Sequence, residues 1–598
     1  MAVTTLRITD RISPICFSST QRLTSVAFDR LTNSKSGMSP ERREDGGDCG
    51  PSRWFSPLEC GARGPGSPLL LYVPGIDGTG LGLIRQHRRL GEIFDIWCLH
   101  FPVSDRTPAR DLVKLIERTV RSEYYRLPNI PIYIVGESIG ASLALDVAGS
   151  NPDIDLVLIL ANPGYPFAAM FETMLKETAA EQTSGGQLGD FFTTSVNLPT
   201  LMRIFPKDTL LWKLQLLKSA SASASSHMYT VKGQTLILLS GHDQWLVNKE
   251  DIERLQYSLL KCEVRKFEGN GQFLFLEDGV DLVSIMKLTY FYRRGKSIDY
   301  ISDYILPTLY ELKEFEESQR LLTAIISPVY LSTLDNGTVV RSLAGIPSGG
   351  LILYVGNHML FGTEFYPAAI HFLKERNILV RGLAHPVMFT RKINSKLQLV
   401  FNNMQLFDSV RITGAVPVSD INFYKLLRSK AHVVLYPGGV REALHRKNEE
   451  YKLFWPEHSE FVRIASKFGA KIIPFGVVGE DDLFKMVFDY NDQMKIPFLK
   501  NLIKEITQET MVLRTVKKEN GEEGEVGNQD LHVPGIIPQI PGRFYIYFGK
   551  PIETEGKEKE LNDKEKAHEV YLQVKSEVER CMTYLKMKRE NEAWLADS

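Results

Sequence analysis

The chain has 598 residues, 43% hydrophobic and 24% charged, with a formal net charge of −1; this is an ordinary globular composition, and its balance excludes a nucleic-acid binder driven by bulk charge, leaving only local basic clusters. Six scattered cysteines (Cys16, Cys49, Cys60, Cys98, Cys262, Cys581) contain no Cys-x-x-Cys pair, which fits neither a disulfide scaffold nor a zinc site and predicts a reducing compartment and no metal. No apolar run reaches the roughly 18 residues of a spanning helix, so any contact with lipid is expected to be peripheral.

Length leaves room for about three to four domains, and two large α/β domains account for it equally well. The first forty residues are rich in Ser and Thr and hold Arg7, Arg11, Arg22, Arg30 and Lys35 against only Asp10 and Asp29. A transit peptide and a plain polar tail share that composition. Ser39 to Gly66, rich in Gly and Pro, reads as the linker into the first folded domain, expected at 67–290.

Leu69-Leu-Leu-Tyr-Val73 is a buried strand that runs into Pro74-Gly-Ile-Asp-Gly-Thr-Gly80, where the backbone N–H groups of Gly75 and Ile76 are placed to face a developing oxyanion. Ile132 to Ala141 then gives strand, sharp turn and helix start, with Ser138 inside Gly136-Glu-Ser-Ile-Gly140. This is the nucleophile-elbow pattern, whose small flanking residues permit the strained turn, and Ile139 supplies a further oxyanion N–H. Leu156-Val-Leu-Ile-Leu-Ala-Asn-Pro163 supplies the next strand and Thr235-Leu-Ile-Leu-Leu-Ser-Gly-His-Asp243 another, ending in Asp243 where an α/β-hydrolase places its triad acid. The histidine fails to appear. Glu268-Gly-Asn-Gly-Gln-Phe-Leu-Phe-Leu-Glu-Asp278 resembles the histidine loop of that fold, yet position 272 is Gln, an amide that cannot take a proton from serine. Loss of the base costs a serine hydrolase several orders of magnitude, so Ser138 is expected to be weak or silent. His242 is a candidate substitute base, but a neighbour of Asp243 on one loop seldom reaches the same site, and a surface histidine is the better reading.

Residues 165–231 are expected as a cap insertion, with Leu210–Leu217 as an apolar helix followed by the low-complexity Ser219-Ala-Ser-Ala-Ser-Ala-Ser-Ser226. Such a cap covers an acyl tunnel, touches lipid or simply packs on its domain. Asp281 through Leu322 reads as helices, with 291–325 as a connector.

The second domain, 326–598, opens the chemistry. Leu351-Ile-Leu-Tyr-Val-Gly-Asn-His-Met-Leu-Phe-Gly-Thr-Glu364 drives a buried strand into a turn that presents His358 at its carboxyl end. With Glu364 on a following helix turn, the imidazole keeps one tautomer and serves as a general base; a core histidine beside a solvated glutamate is the bland alternative. His385-Pro-Val-Met-Phe389 is a loop whose apolar side chains suit an acyl groove, Gly414–Val418 is a loop before a helix from Asp420, and Ala431–Leu435 is a strand breaking at Pro437-Gly-Gly439. Arg441, Arg446 and Lys447 follow it at a strand end, where guanidinium forks suit phosphate. Ile496–Ile506 is amphipathic with a basic side, either resting on a membrane or packed in a core. Residues 517–530 read as a polar loop, Pro541–Lys550 as an edge strand, and Asp563–Lys586 as a closing helix.

In this order, Asn-His with a delayed acid, Gly414-Ala-Val-Pro-Val418, Tyr436-Pro-Gly-Gly-Val-Arg441 and Ile473-Pro-Phe-Gly476 resemble the four blocks of glycerolipid (lysophospholipid-type) acyltransferases. The longer string Pro437 to Glu457 resembles the diacylglycerol-acyltransferase-like domain of plant phytyl ester synthases and their esterase/lipase/thioesterase relatives. Two positions depart from that pattern: the family's His-x4-Asp is here His358 with Glu364 one step later, and its Pro-Glu-Gly is Pro437-Gly438-Gly439. The resemblance, covering about Pro68 to Met587, implies an α/β-hydrolase domain followed by an acyltransferase α/β domain. It implies transfer of a fatty acyl group from an acyl thioester (acyl-CoA or acyl-carrier-protein as substrate, no cofactor) or a lipid donor to phytol or diacylglycerol. His358 would be the base, Glu364 its orienter, and Arg441 with Arg446 or Lys447 the holder of donor phosphate. It also implies a plastid location, stromal or on plastoglobules. The rival readings are a lipid hydrolase acting through Ser138, against which Gln272 argues, and a non-catalytic lipid-binding protein, against which the His and Arg blocks argue.

Overall fold

The computed structural model describes residues 50–60, 64, 66–163, 207–241, 249–267, 269–271, 273–389, 410–458, 460–511, 530–539 and 542–590. The expected transit peptide, most of the cap, His242, Asp243, Gln272 and the polar loop 517–529 lie outside them. The chain divides into two compact units, one formed by Met1–Ile285 with Arg294–Lys296, the other by Met286–Arg293 with Ser297–Ser598.

The first unit is built on a seven-stranded sheet: β1 (Arg53–Phe55), β2 (Leu69–Val73), β3 (Asp95–His100), β4 (Ile132–Glu137), β5 (Leu156–Ala161), β6 (Gln234–Ser240) and β7 (Cys262–Phe267), in the order β1-β3-β2-β4-β5-β6-β7. Among the described residues, only β1 runs antiparallel to its neighbour in this sheet. Every residue of β2, β4 and β5 is buried, because helices cover both faces of a parallel sheet and the strand must be apolar on each. Helix α1 (Ala109–Arg126) buries Leu112, Val113, Ile116 and Val120 at helical spacing, and α2 (Ile139–Ser150) is buried almost throughout.

The reason α2 is so enclosed is α3 (Lys207–His227), which lies over it. The Ser/Ala run read as low complexity belongs to this single helix. Its small side chains let the backbones approach: Ala220 and Ala224 are buried, and Ser221 Oγ meets Ser142 Oγ at 3.2 Å. Asp146 of α2 accepts from Ser223 at 2.6 Å and meets His227 Nδ1 at 2.6 Å.

The joint is helical at Leu282–Leu288, which runs from the end of the first unit into the second, and again at α4 (Leu309–Ile326). The expected helices are separated by a non-helical stretch, in which Tyr290 takes φ 52° and Asp299 folds the chain into a turn, accepting from Ile301 N at 3.0 Å. Thr308 and Glu311 then form a reciprocal capping box that restarts the helix. Phe315 and Ile326 place α4 in the core of this unit.

The sheet of the second unit has eight strands: β8 (Val329–Thr333), β9 (Val339–Val340), β10 (Ile352–Gly356), β11 (Val380–Ala384), β12 (Val416–Pro417), β13 (His432–Leu435), β14 (Lys471–Val478) and, later in the chain, Tyr545–Phe548. Between the last two come β15 (Phe484–Phe488) and β16 (Gly535–Pro538), which pair separately as an antiparallel ribbon, so Tyr545–Phe548 is β17. The order is β12-β11-β13-β10-β14-β17-β8-β9. Two sequence expectations change here. Part of Gly414–Val418 is the strand β12, paired with β11. The expected edge strand near the C-terminus is interior: β17 is wholly buried between β14, to which it is antiparallel, and β8. Its residues Tyr545, Ile546, Tyr547 and Phe548 are all large and apolar enough to serve two covered faces. Helix α5 (Phe365–Arg376) follows β10, α6 (Pro497–Met511) follows β15, and α7 (Lys564–Glu590) closes the chain. Ala567, Tyr571, Val574, Val578, Cys581 and Leu585 give α7 a buried stripe at steps of four and three residues, the spacing of a one-sided helix.

Candidate active site

Strand β10 sits between β13 and β14, parallel to both, so the carboxyl ends of three neighbouring strands release their loops on one edge of the sheet. That edge is where an open α/β sheet gathers a site. Here β10 releases Asn357-His358, β13 releases Tyr436 to Glu442, and β14 releases Gly479-Glu480.

The His358 turn is fixed from three sides. Asn357 clamps onto β14, accepting from Val477 N at 2.8 Å and donating to Val477 O at 3.0 Å. His358 N donates to Glu442 Oε2 at 2.9 Å, and Leu360 N donates to Glu480 Oε2 at 2.9 Å. The imidazole stacks on Tyr436, with centroids 4.0 Å apart and planes 15° off parallel. Burial and the nearby Glu364 push the Tyr436 hydroxyl well above its ordinary pKa, so it stays protonated.

Glu364 Oε1 lies 2.9 Å from His358 Nδ1 and also accepts from Met359 N at 3.3 Å. The histidine side chain is 18% exposed and the glutamate 2%. A carboxylate held on Nδ1 makes that nitrogen the protonated one and leaves Nε2 able to accept a proton. The extra residue between histidine and acid is absorbed by a kink, with Phe361 at φ 58° and Gly362 at φ 67°. Position 362 has a second constraint, since a Cβ there would stand 2.7 Å from His358 Cε1. The α-helix begins only at Phe365, with Glu364 as its N-cap residue. The cavity beneath Glu364, about 20 Å³ and lined by Tyr354, Phe372, Phe475 and Phe548 among others, has room for one water and not for an acyl chain.

The basic residues of the third block are differently engaged. The Arg441 guanidinium is buried and forms a two-point pair with Glu449 at 2.7 and 2.8 Å, lying 3.7 Å over the Phe454 ring. Burial pushes the Glu449 carboxyl up, but the hydrogen bonds from Arg441 and from Arg446 N outweigh it and leave it below the ordinary range. Arg446 lies over Tyr490 at 4.9 Å, and Lys447 Nζ donates to Asp492 at 2.5 Å. Arg441 therefore braces its own loop, while Arg446 and Lys447 sit beside the Tyr490–Met494 helix. In the segment His385–Phe389, Val387 and Met388 pack with Leu444 and Ile506, and Phe389 meets the rings of Tyr300 and Tyr290 at 5.2 and 6.0 Å.

Sequence reasoning missed Glu442 and Glu480. Glu442 is 1% exposed, and its second oxygen accepts from Phe454 N at 2.8 Å. Burial raises its pKa to about 7 against the pull of the two backbone N–H bonds. Glu480 also pairs with buried His445, 3.3 Å from Nε2. No spacing rule marks these two acids, because only strand adjacency brings them to His358.

In the first unit, Ser138 stands between β4 and α2 at φ 51° and ψ −108°, a strained conformation that aims the side chain away from the sheet. Gly140 is required by close approach, since a Cβ there would lie 2.0 Å from Val73 O. Gly75 accepts from Gly78 N to close the loop after β2, and Lys213 of α3 donates to Ile76 O at 2.7 Å and Asp77 O at 3.0 Å. Behind the elbow, Glu137 is buried, accepts from Tyr72 at 2.9 Å and is pushed up to about 8 by burial.

Among known proteins, the diacylglycerol acyltransferase family matches residues 387–577. Phytyl ester synthase 2 of Arabidopsis thaliana, a chloroplastic protein, is 59% identical over 595 residues, covering 93% of this chain and 84% of the relative. The chain belongs to the phytyl ester synthase family. Phytyl ester synthase 1 of the same plant, also chloroplastic, is 44% identical over 584 residues, 92% of this chain and 82% of the relative. Among solved structures, the monoacylglycerol lipase of Paleococcus ferrophilus aligns with 38% of this chain and 92% of its own at 15% identity and TM-score 0.28. A lipase from Acinetobacter baumannii aligns with 44% and 93% at 19% identity and TM-score 0.26. Within the phytyl ester synthase family frame, the family match at 387–577 begins after His358 and includes Glu442 and Glu480.

Proposed function

We propose that the chain is a chloroplast acyltransferase that moves a fatty acyl group from an acyl thioester or lipid donor to phytol or diacylglycerol, with His358 as the base. The observation that carries this reading is the 2.9 Å approach of Glu364 Oε1 to His358 Nδ1 at the carboxyl end of β10, in a member of the phytyl ester synthase family. His358 Nε2 takes the hydroxyl proton of the alcohol as its oxygen attacks the acyl carbonyl. The tetrahedral intermediate then collapses, the new ester forms, and the departing thiolate or alkoxide recovers the proton from the imidazolium. Glu364 stabilises that imidazolium and holds its orientation. Arg446 is the basic residue of this loop best placed to meet donor phosphate, since Arg441 is committed to Glu449 and Lys447 to Asp492.

The second reading, acyl transfer through a serine ester, has the strained elbow at Ser138 in its favour. The test is ester formation from a labelled acyl donor by wild type, His358→Ala and Ser138→Ala proteins. Loss in His358→Ala alone, by at least about a thousandfold, supports the proposal. Loss in Ser138→Ala instead moves the chemistry to the first unit.

A further inference from the structure

Between β14 and β17 the chain builds a lobe from the β15/β16 ribbon, the Tyr490–Met494 helix and α6. The inner side of α6 is accounted for: Leu502 and Ile506 pack with Val387, Leu444 and Leu531 against Phe361, three residues from His358. Its outer side is not. Lys495-Ile-Pro-Phe-Leu-Lys500 leads into the helix with Ile496 42% and Phe498 74% exposed, and Pro497, Lys495, Lys500 and Lys504 are exposed beside them. Lys495 is paired with Asp492 at 3.1 Å, so the charge the face offers comes from Lys500 and Lys504, which stand one turn apart on the helix surface with Glu505 as the neighbouring acid. The ribbon repeats the pattern, pairing exposed Lys485 with exposed Ile537 across its two strands.

An aromatic ring and an isoleucine held in water between lysines are costly for a freely soluble surface and suited to a lipid–water boundary, where apolar side chains enter the acyl region and lysines meet anionic headgroups. We propose that the Lys495–Lys504 face of α6 docks the acyltransferase unit on an anionic lipid surface. Two observations on the structure choose this occupant. The charge of the patch is complementary to an anionic surface, and the underside of the same helix covers the turn that carries His358. The inference rests on the reading that the acceptor is a water-insoluble alcohol, which must reach His358 from a lipid phase. Docking through α6 brings the strand-end site to that phase without a spanning helix, and among the described residues no helix is long and apolar enough to cross a membrane.

The test is co-sedimentation of the full chain with phosphatidylcholine vesicles, with and without phosphatidylglycerol, for wild type, Phe498→Asp, Lys500→Gln/Lys504→Gln and His358→Ala. Phe498→Asp suits the first turn of a helix, where a carboxylate is favourable, so the fold is retained. Wild type and His358→Ala should bind the anionic vesicles equally. Phe498→Asp should bind at least about tenfold more weakly, and the double lysine variant should lose about tenfold on anionic vesicles only, with the wild-type advantage shrinking in high salt. Failure of wild type to bind, or unchanged binding in Phe498→Asp, overturns the proposal. So does a lipid-free dimer that Phe498→Asp converts to monomer, which would make the face a contact between two copies. Acyl transfer to detergent-dispersed alcohol is measured in parallel and should survive Phe498→Asp. Vesicle binding without transfer in any form would sink the functional reading and leave the docking surface standing.

Discussion

Glu442→Gln is the sharpest perturbation the site offers, because each oxygen of that carboxylate holds a different backbone N–H. One bond fixes His358 N at 2.9 Å and the other Phe454 N at 2.8 Å. Glutamine keeps one acceptor and turns an NH2 group toward the other amide, so one charge-assisted bond is lost and two donors face each other. Above pH about 7, where the carboxyl is ionised, a buried hydrogen bond to a charged group contributes about 1.5–3 kcal/mol, which for a unit of this size lowers Tm by roughly 2–5 °C. A histidine turn displaced by a few tenths of an ångström to 1 Å costs roughly ten- to a hundredfold in kcat, with KM little changed. The pH dependence separates this from a general loss of packing. The Glu442 pKa of about 7 in the folded state lies above its ordinary 4.5, so the folded protein holds a proton that the unfolded chain has released. Wild-type stability therefore falls as pH rises from about 4.5 to about 7. Glu442→Gln lacks that titration, and the stability gap between the two proteins should narrow across the same window. Thermal unfolding from pH 5 to pH 8 and steady-state acyl transfer read both quantities. Wild-type kcat with an unchanged Tm, or a gap independent of pH, would refute the assignment of Glu442 as a positioning residue.

Gly362→Ala places a methyl group against the His358 ring at a residue with φ 67°; kcat should fall about ten- to a hundredfold at a stability cost of about 1–2 kcal/mol, and an alanine enzyme with full kcat would show that the ring is free to move. Lys213→Met removes the donor that holds Ile76 O and Asp77 O, leaving two carbonyls to find new partners at about 1–3 kcal/mol. Burial lowers the Lys213 pKa to about 8 from 10.5, so the unfolded chain holds the extra proton and the first unit gains stability as pH rises from about 8 to about 10.5. Differential scanning calorimetry across that range should show the gain in wild type and not in the variant.

Much of the chain was legible from its residues alone. The apolar runs Leu69–Val73, Ile132–Val135 and Ile352–Val355 declared buried parallel strands, because a strand covered on both faces admits no polar alternation. Gly136-Glu-Ser-Ile-Gly140 declared a strained turn, because only glycine clears the neighbouring strand at position 140. Asn-His after a strand and glycine declared a presented imidazole. Other features depend on contacts the linear chain does not encode. The Ser/Ala run was legible only as low complexity until α2 supplied the surface on which small residues are an advantage. Tyr545–Phe548 could serve an edge or an interior position, and its two neighbours decided for the interior. The engagement of Arg441 with Glu449 and the convergence of Glu442 and Glu480 on the His358 turn follow from β13 and β14 flanking β10. Hydrophobic periodicity and turn chemistry are local and can be read along a chain; which strand lies beside which, and so which buried acid meets which backbone amide, is fixed only when the sheet closes its hydrogen bonds.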